Sequence, residues 1–371
     1  MIKLEMNAKG DNVLILGNNT RFAKIFSCFS QKVFLCFEKQ LSQFERLSDE
    51  EKEYIVINYV TKKENFPFLC KKRISEISRI ITDNKIDIIF VNRIDDMILS
   101  YRAIKHLTRK PLLLATFHNS LSWHNRLQVF IKKMLIEKYS DGCICLARFM
   151  YNQLSKSERK NSKYLYLPNT IDDSSFFKKT NYLSGPIFRI CYVAVISKNK
   201  NQLFIAKTIK NLHKFINVHV DFIGDIVDKK YLCKINDYLL KNNIADNFTF
   251  CGRMNYIEVK EKLPSYDLYF SSSKSEMSPY NILEAKACGL PILASHAYGQ
   301  QDLIKNGIDG VLYKDNNLSD STSLIMSLIS SSDYRKQLGS CAIQSIKSDN
   351  NYRSAANILH IFIMRLKNEK K

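Results

Sequence analysis

The sequence predicts an α/β protein with two Rossmann-like domains, each built on a parallel sheet. Its 371 residues exceed what one hydrophobic core ordinarily serves. Short apolar runs alternate with helical patterns for most of the length, which is typical of parallel α/β structure. A turn-rich stretch at 167–172, Leu-Pro-Asn-Thr-Ile-Asp, separates two such series. We therefore expect one domain at 1–172, a second at 173–350, and a C-terminal helix at 351–371 that packs back toward the first.

The two series show the same alternation of apolar runs and helical patterns. The predicted strands of the first series are 13–17, 54–57, 86–91, 112–116 and 142–146, with helices at 72–82 and 126–139. The predicted strands of the second series are 187–196, 218–224, 248–252, 268–272, 291–295 and 310–313, with a helix at 202–212. Two such halves would have parallel sheets facing a central cleft. Open parallel sheets bind ligands at the carboxyl ends of their strands, so this cleft is the expected site.

Composition and charge limit the classes of partner. The net charge of +20 favours polyanions, such as phosphorylated substrates or anionic lipid headgroups. The aromatic and basic patterns of nucleic-acid-binding modules are not seen, so no nucleic-acid partner is expected. The ten cysteines have neither disulfide-framework nor zinc spacing, the N-terminal residues lack an apolar signal region, and no run has the length of a membrane span. We expect a cytoplasmic protein, and the charge favours peripheral attachment to an anionic membrane surface.

The most informative segment follows the predicted strand at 268–272 and predicts a short helix. It reads S-E-M-S-P-Y-N-I-L-E-A-K-A-C-G-L-P over 275–291. Ser278 is a good N-cap and Pro279 suits the first helical position. Gly289 can close the helix in the left-handed conformation, and Pro291 prevents its continuation.

This helix predicts an anion site with a carboxylate on each side. Glu276 lies in the loop before the helix, and Glu284 lies on its second turn. The N–H groups of Tyr280, Asn281 and Ile282 point to the N-terminal end, where the helix dipole also favours an anion. The arrangement suits a sugar diphosphate, because the two carboxylates can accept hydrogen bonds from sugar and ribose hydroxyls.

The run S-E-x-x-P-x-x-x-x-E-A-x-A-C-G-x-P-I-x-A-S-x-x-x-G-x-x-D-L-I-x-x-G-x-x-G, over 275–310, resembles the donor-binding signature of glycosyltransferase family 4. The resemblance implies the GT-B fold and retaining transfer, with Glu276 meeting the donor sugar and Glu284 binding the ribose. Other matches imply that His118, after the strand at 112–116, approaches the transferred sugar. They also imply that Gly252 and its neighbour Arg253 lie beside the base.

The sequence departs from the family pattern where the donor pyrophosphate is bound. The family's arginine and lysine match Val195 and Lys200, so the arginine is missing here. Lys198 is a candidate to supply the missing charge, although an amine lacks the bidentate fork of arginine. Met277 replaces the usual glycine after Glu276. These departures affect the donor site and leave the predicted fold unchanged.

The resemblance implies transfer of a hexose-type sugar from a nucleoside-diphosphate donor, with a UDP-sugar expected, to a saccharide or lipid-linked saccharide acceptor. The charge favours bacterial capsule, O-antigen or lipopolysaccharide synthesis. The segment 126–139 fits a basic helix on an anionic membrane, but it also fits an ordinary helix packed on its own sheet.

Metal and cofactor are not expected beyond the nucleotide-sugar co-substrate, because no two aspartates are separated by one residue as in a D-x-D metal clamp. Two alternatives remain open. One is a catalytically inactive polyanion-binding relative on the same fold, and the other is a sugar-nucleotide epimerase.

Overall fold

The computed structural model describes residues 10–16, 20–37, 55–59, 70–117, 126–155, 163–172 and 174–370 of the chain. The chain divides into two compact units, Met1–Leu167 with Tyr352–Lys371, and Pro168–Asn351. The first unit ends a few residues before the expected boundary at 172, because the backbone after Leu167 already bonds within the second unit. There, the Ile171 N–H donates to Asn350 O at 2.9 Å.

Strands and helices alternate along the described ranges. Up to residue 167 they are β1 (Asn12–Leu16), α1 (Thr20–Ser27), β2 (Lys32–Phe37), β3 (Ile55–Tyr59), α2 (Lys71–Asp83), β4 (Ile88–Val91), α3 (Ile94–Ile104), β5 (Leu112–Thr116), α4 (Arg126–Tyr139), β6 (Gly142–Cys145), α5 (Arg148–Ser155) and β7 (Tyr164–Tyr166). After residue 167 they are β8 (Phe188–Val193), α6 (Gln202–Leu212), β9 (Val218–Ile223), α7 (Lys229–Lys241), β10 (Phe248–Gly252), α8 (Tyr256–Lys262), β11 (Leu268–Ser271), α9 (Tyr280–Cys288), β12 (Ile292–Ser295), β13 (Val311–Tyr313), α10 (Leu318–Ser330), α11 (Ser332–Asp349) and α12 (Tyr352–Lys370).

The first unit contains a parallel sheet of seven strands in the order β3-β2-β1-β4-β5-β6-β7. Every residue of β4 and β5 is buried, as expected where helices cover both faces of a parallel sheet. The C-terminal helix α12 packs on this unit. Lys370 Nζ lies 2.9 Å from Asp141 Oδ2, and Lys367 pairs with Asp11.

The second unit contains a parallel sheet of six strands in the order β10-β9-β8-β11-β12-β13. This is the doubly wound order in which the first and fourth strands of a unit, here β8 and β11, are neighbours in the sheet. The chain leaves β8 toward one side of the sheet and β11 toward the other. Their carboxyl ends therefore flank the crevice where open α/β sheets bind ligands, and this crevice fixes where the site lies.

Several sequence predictions are confirmed, while several strands are one or two residues shorter than predicted and one is four residues shorter. The helices at 126–139 and 202–212 and the strand at 248–252 have the predicted bounds. The strand predicted at 187–196 is Phe188–Val193, because the residues that follow leave the sheet. Only an isolated parallel bridge between Ile196 and Ile226 continues the pairing there. None of the helices in the described ranges combines the length and apolar character needed to cross a membrane.

A buried carboxylate joins β9 to the segment before β11. Asp221, which is 5% exposed, accepts hydrogen bonds from Tyr266 OH at 2.5 Å and from Lys262 Nζ at 3.0 Å. Burial alone would raise the pKa of the Asp221 carboxyl. The hydrogen bonds from Tyr266 and Lys262 and the nearby positive charge outweigh burial, so that pKa is lowered.

Replacing Asp221 by asparagine is expected to lower the free energy of unfolding at pH 7 by about 1–3 kcal/mol, because an acceptor for buried donors is lost. A carboxylate whose folded pKa is lowered stabilises the protein above its unfolded pKa of about 3.9. That stability disappears as the pH falls through the folded pKa. Thermal midpoints of the variant and the parent protein should therefore converge below about pH 4. Asp237→Asn, at an exposed position of α7, is the control, and a gap that persists at low pH would contradict the assignment.

Candidate functional site

The site lies at the carboxyl ends of β8 and β11, where an ion pair joins the two loops that leave these strands. Lys200 Nζ bonds to Glu276 Oε1 across 76 residues of sequence, and both side chains are less than one-fifth exposed. The topology explains the pairing, since neighbouring parallel strands deliver their following loops to the same edge of the sheet. A cation and a carboxylate thus meet at the ligand-binding edge of the second unit.

The Glu276 carboxylate is held by a chain of hydroxyl groups. Ser273 Oγ donates to Glu276 Oε1 at 2.7 Å, and Ser273 Oγ lies 2.6 Å from the hydroxyl of Tyr192 on β8. Tyr192 is fully buried, and burial, followed by the charge of Glu276, raises the pKa of its phenol. The phenol therefore stays protonated and can donate toward the serine. This network fixes the orientation of the carboxylate at the carboxyl ends of β8 and β11.

The backbone around Glu276 is also fixed. The Glu276 N–H donates to Tyr298 O at 3.0 Å. Gly299, with φ +80°, passes so close that a Cβ there would lie 2.4 Å from Glu276 O. Only glycine fits such a position without a shift of the loop. The glycine that follows β12 therefore helps to place the glutamate.

A second set of polar groups supports Ser273 from the β12 side. Gln300, which is fully buried, donates from Nε2 to Ser273 O at 2.8 Å, and its Oε1 accepts from Ser271 Oγ. Ser295 Oγ donates to the same Ser273 carbonyl at 2.6 Å. Buried polar networks of this kind hold one arrangement when every member is satisfied.

The helix α9 begins one residue later than predicted, and its N-cap is Pro279 instead of Ser278. The Ser278 hydroxyl instead accepts from the Asn169 N–H at 2.9 Å, while Asn169 Nδ2 donates to Ser278 O at 2.6 Å. Asn169 Oδ1 accepts from Tyr280 OH at 2.8 Å. The segment before β8 therefore clamps the start of α9. The predicted end is confirmed, since Gly289 closes the helix with φ +74°.

Two of the residues assigned to the anion site bond to each other at the first turn of α9. Asn281 Nδ2 donates to Val193 O at 2.7 Å, which ties the helix to the end of β8. Asn281 Oδ1 accepts from the Ile282 N–H at 2.9 Å. The sequence predicts this N–H as a hydrogen-bond donor to an anion. In the structure it already donates to the Asn281 side chain.

Glu284 lies on the second turn of α9, as predicted, and is 7% exposed. Burial is the main cause that raises the pKa of the Tyr269 phenol on β11, and the charge of Glu284 adds to it. The glutamate is thus buried and near the Tyr269 side chain rather than on the surface.

The remaining residues predicted from the sequence lie at or after the carboxyl ends of β8 and β10. Lys198 is exposed in the loop after β8. Arg253 is 74% exposed at its side chain, with Nη1 3.8 Å from Asp225 Oδ2. Gly252 adopts φ +69° where the register of β10 shifts, and its carbonyl accepts from the Gly224 N–H at 2.8 Å. The predicted His118 lies outside the described residues.

The structure also brings in residues that the sequence did not single out. Asn199 Nδ2 donates to Ser275 O at 3.0 Å, and Asn199 O accepts from the Lys274 N–H at 2.8 Å, which joins the two loops. Ser273 and Tyr192 orient Glu276 as described above. The signal for the serine is the polar run Ser-Ser-Ser at 271–273, directly after an apolar strand.

No group of three or more His, Cys, Asp or Glu side chains within the described ranges is arranged to hold a metal ion. The expectation that the chain needs no metal stays a prediction. What the site offers chemically is a cation, an oriented carboxylate and a helix N-terminus at one edge of a doubly wound sheet.

Comparison with known proteins shows a family match for the segment of the chain that carries this site. Residues 174–345 match the family described as glycosyl transferases group 1. The uncharacterized glycosyltransferase MJ1178 of Methanocaldococcus jannaschii is 26% identical over 200 residues, which cover 54% of this chain and 53% of that protein. The chain thus spans about half the length of this relative.

Two further proteins are similar to this chain, one in the sequence of a shorter segment and the other in its whole fold. N,N'-diacetylbacillosaminyl-diphospho-undecaprenol alpha-1,3-N-acetylgalactosaminyltransferase of Campylobacter jejuni is 32% identical over 101 residues, 26% of this chain and 27% of that one. The crystal structure of HepE from Anabaena in complex with UDP and glucose has a TM-score of 0.79 at 15% identity, covering 95% of this chain and 99% of that chain. Residues 174–345 therefore form a domain that matches the glycosyl transferases group 1 family, and the chain shares the GT-B fold with its structural neighbours.

Proposed function

We propose that this chain transfers a hexose-type sugar from a nucleoside-diphosphate donor to a saccharide or lipid-linked saccharide acceptor, with retention at the anomeric carbon. The observation that carries the proposal is the meeting of Lys200 and Glu276 at the switch point of the second unit. A sugar diphosphate needs positive charge beside its phosphates and a hydrogen-bond acceptor beside its sugar hydroxyls. Lys200 supplies the positive charge and Glu276 supplies the acceptor, at the place where the two loops meet.

The donor base is proposed to be uracil. The Anabaena neighbour binds UDP and glucose, which supports a UDP-sugar without establishing it for this chain. Gly252 and Arg253, at the end of β10, are the proposed neighbours of the base. Glu284 is the proposed partner of the ribose hydroxyls.

The proposed chemistry uses charge that is already in position. The bond between the anomeric carbon and the diphosphate oxygen breaks, and its electron pair goes to the diphosphate. The oxygen of an acceptor hydroxyl bonds to the anomeric carbon on the same face, and the hydroxyl proton passes to the departing diphosphate oxygen. Lys200 and the N-terminal end of α9, with Lys198 nearby, oppose the negative charge that develops there. Glu276, oriented by Ser273, faces the sugar, and His118 is proposed to approach it from the other domain.

The acceptor is proposed to be a lipid-linked saccharide of bacterial capsule, O-antigen or lipopolysaccharide synthesis. The name of the Campylobacter relative describes transfer to a saccharide on diphospho-undecaprenol, which supports this class. The net charge of +20 suits an acceptor with phosphates at an anionic membrane surface.

The donor proposal predicts that one nucleotide stabilises the protein. A panel of nucleoside diphosphates and their sugars should yield a thermal shift for a single base. A ligand at 100 times its Kd stabilises the folded protein by about 2.7 kcal/mol. Glu284→Gln is expected to lose this response, and Glu261→Gln, at an exposed position of α8, is expected to keep it.

Two outcomes would contradict the donor proposal. If no nucleotide shifts the midpoint of the parent protein, the polyanion-binding alternative replaces it. If Glu284→Gln responds as fully as the parent protein, the ribose contact is assigned to the wrong residue. Once the donor is known, the anomeric configuration of the product, measured by NMR, decides the proposed retention.

A further inference from the structure

Helix α9 does not use the cap that its sequence supplies. Ser278 belongs to the residue types that cap helices best, because a serine hydroxyl can accept from an N–H of the first turn. The helix nevertheless begins at Tyr280 with Pro279 as its N-cap, and a proline side chain has no group that accepts a hydrogen bond. A favourable cap therefore lies next to the helix and is held in another role.

Asn169 holds Ser278 outside the helix. The Asn169 N–H donates to Ser278 Oγ at 2.9 Å, and Asn169 Nδ2 donates to Ser278 O at 2.6 Å. Asn169 Oδ1 accepts from the hydroxyl of Tyr280, the first residue of α9, at 2.8 Å. Asn169 and Ser278 are each 5% exposed, so these bonds form away from water, where they are stronger. One residue thus binds the residues on both sides of Pro279.

The position of Asn169 does not depend on α9 alone. Two residues further along the chain, the Ile171 N–H donates to Asn350 O at 2.9 Å, and Asn350 is the C-cap of α11. The orientation of the Asn169 amide is also determined, because Ser278 O can only accept and therefore requires the NH2 group on its side. The segment is thus anchored well enough to keep Ser278 from turning toward the helix.

A cap by Ser278 would compete with an anion for the same N–H groups. An N-cap hydroxyl accepts from the second or third residue after it, which here is Tyr280 or Asn281. The Ile282 N–H already donates to Asn281 Oδ1. Capping would therefore leave at most one of the three N–H groups of this turn for the diphosphate, although such groups are what binds an anion at a helix N-terminus.

We propose that Asn169 is a positioning residue of the donor site, which prevents Ser278 from capping α9 and so preserves the first-turn N–H groups for the donor diphosphate. The identity of the anion rests on the proposed function, while the competition for Ser278 does not. A helix start without a side-chain cap is less stable, and the buried bonds of Asn169 offset that cost.

The same segment supplies a matched control at the other end of α9. Tyr182 OH donates to the carbonyl of Gly289, the C-cap of the helix, at 2.8 Å, and Tyr182 is 8% exposed. Tyr182→Phe therefore removes a buried hydrogen bond from the same helix without changing its first turn. A general loosening of α9 would affect this variant and Asn169→Ala alike.

The first test is UDP affinity by calorimetry. Asn169→Ala removes both side-chain bonds and should bind UDP about tenfold more weakly than the parent protein. Ser278→Ala and Tyr182→Phe should bind as the parent does. The double variant Asn169→Ala, Ser278→Ala should recover most of the lost affinity, because an alanine at 278 cannot cap the helix.

The second test needs no nucleotide. Hydrogen exchange of the backbone amides of Tyr280 and Asn281, followed by NMR in the nucleotide-free protein, reports the cap directly. One of these amides should exchange more slowly in Asn169→Ala than in the parent protein, and the slowing should disappear in the double variant. Simple destabilisation of the helix predicts the opposite, faster exchange.

Four results would overturn the proposal: unchanged UDP affinity in Asn169→Ala, a loss that Ser278→Ala does not reverse, an equal loss in Tyr182→Phe, or exchange at 280 and 281 that is unchanged or faster in Asn169→Ala. If the parent protein binds neither UDP nor another nucleoside diphosphate, the proposed function fails. The exchange rates then still decide whether Asn169 keeps Ser278 from capping α9.

Discussion

Replacing Glu276 by glutamine is expected to lower kcat for sugar transfer by about 100- to 1,000-fold, while UDP binding is kept or tightened. Glutamine has nearly the same volume, and its carbonyl can still accept from Ser273. What disappears is the negative charge that is paired with Lys200. A diphosphate must compete with this carboxylate for the lysine, so removing the charge removes a competitor. Calorimetry with UDP and the rate of UDP release measure the two effects separately.

Lys200→Met should have the complementary effect. It removes the cation proposed for the diphosphate, so UDP affinity should fall along with turnover. Glu261→Gln, which changes the net charge as Glu276→Gln does, is the control for that variant and should change neither quantity. If Glu276→Gln lost as much UDP affinity as Lys200→Met, the carboxylate would not be a competitor for the lysine. Full turnover in Glu276→Gln would exclude the glutamate from the reaction.

The strands that can be predicted from the sequence are those buried on both faces. Leu112–Thr116 and Ile292–Ser295 are completely buried and therefore appear as continuous apolar runs. Lys32–Phe37 was not predicted, although 33–37 is an apolar run of five residues, because it follows the apolar residues of α1 closely and the pattern does not separate the two. The α/β class thus follows from local pattern, while the full strand count does not.

The contact between Lys200 and Glu276 could not be predicted from local pattern, because 76 residues separate the two. Periodicity indicates that a segment is a strand but not which strand lies beside it. Strands β8 and β11 are adjacent only because of the strand order of the sheet, and the ion pair depends on that order. The family resemblance named both residues, yet it did not predict that they pair with each other.

The start of α9 shows how a distant contact overrides a local preference. Ser278 is a favourable N-cap by residue type, but its hydroxyl accepts from the backbone of Asn169, 109 residues away. The cap position passes to Pro279, whose missing N–H costs nothing there. Asn169 therefore links the segment after the first unit to the helix that carries Glu284, a role that its own neighbours in sequence do not reveal.

The buried ion pair beneath α9 predicts the largest effect on stability. Replacing Lys286 by methionine is expected to lower the free energy of unfolding of the second unit by about 3–5 kcal/mol, because it leaves the Asp309 carboxylate buried without its cation. Both side chains are 1% exposed, and Lys286 Nζ lies 2.9 Å from Asp309 Oδ2. Lys286 Nζ also donates to Leu303 O at 2.7 Å. Burial lowers the pKa of Lys286, and the neighbouring Asp309 opposes that shift.

The pair should be strongly coupled, which separates this cause from simple loss of packing. Lys286→Met combined with Asp309→Leu removes both charges, so the double variant should be more stable than Lys286→Met alone. The control is Lys305→Met, which breaks an exposed pair with Asp349 and should cost less than about 1 kcal/mol. Hydrogen exchange of β11 and β12 amides follows the second unit separately from the first. Equal losses in Lys286→Met and Lys305→Met, or additive losses in the double variant, would contradict the assignment. Because Lys286 lies on the same helix as Glu284, the single variant should also bind UDP more weakly, and the double variant should recover part of that affinity.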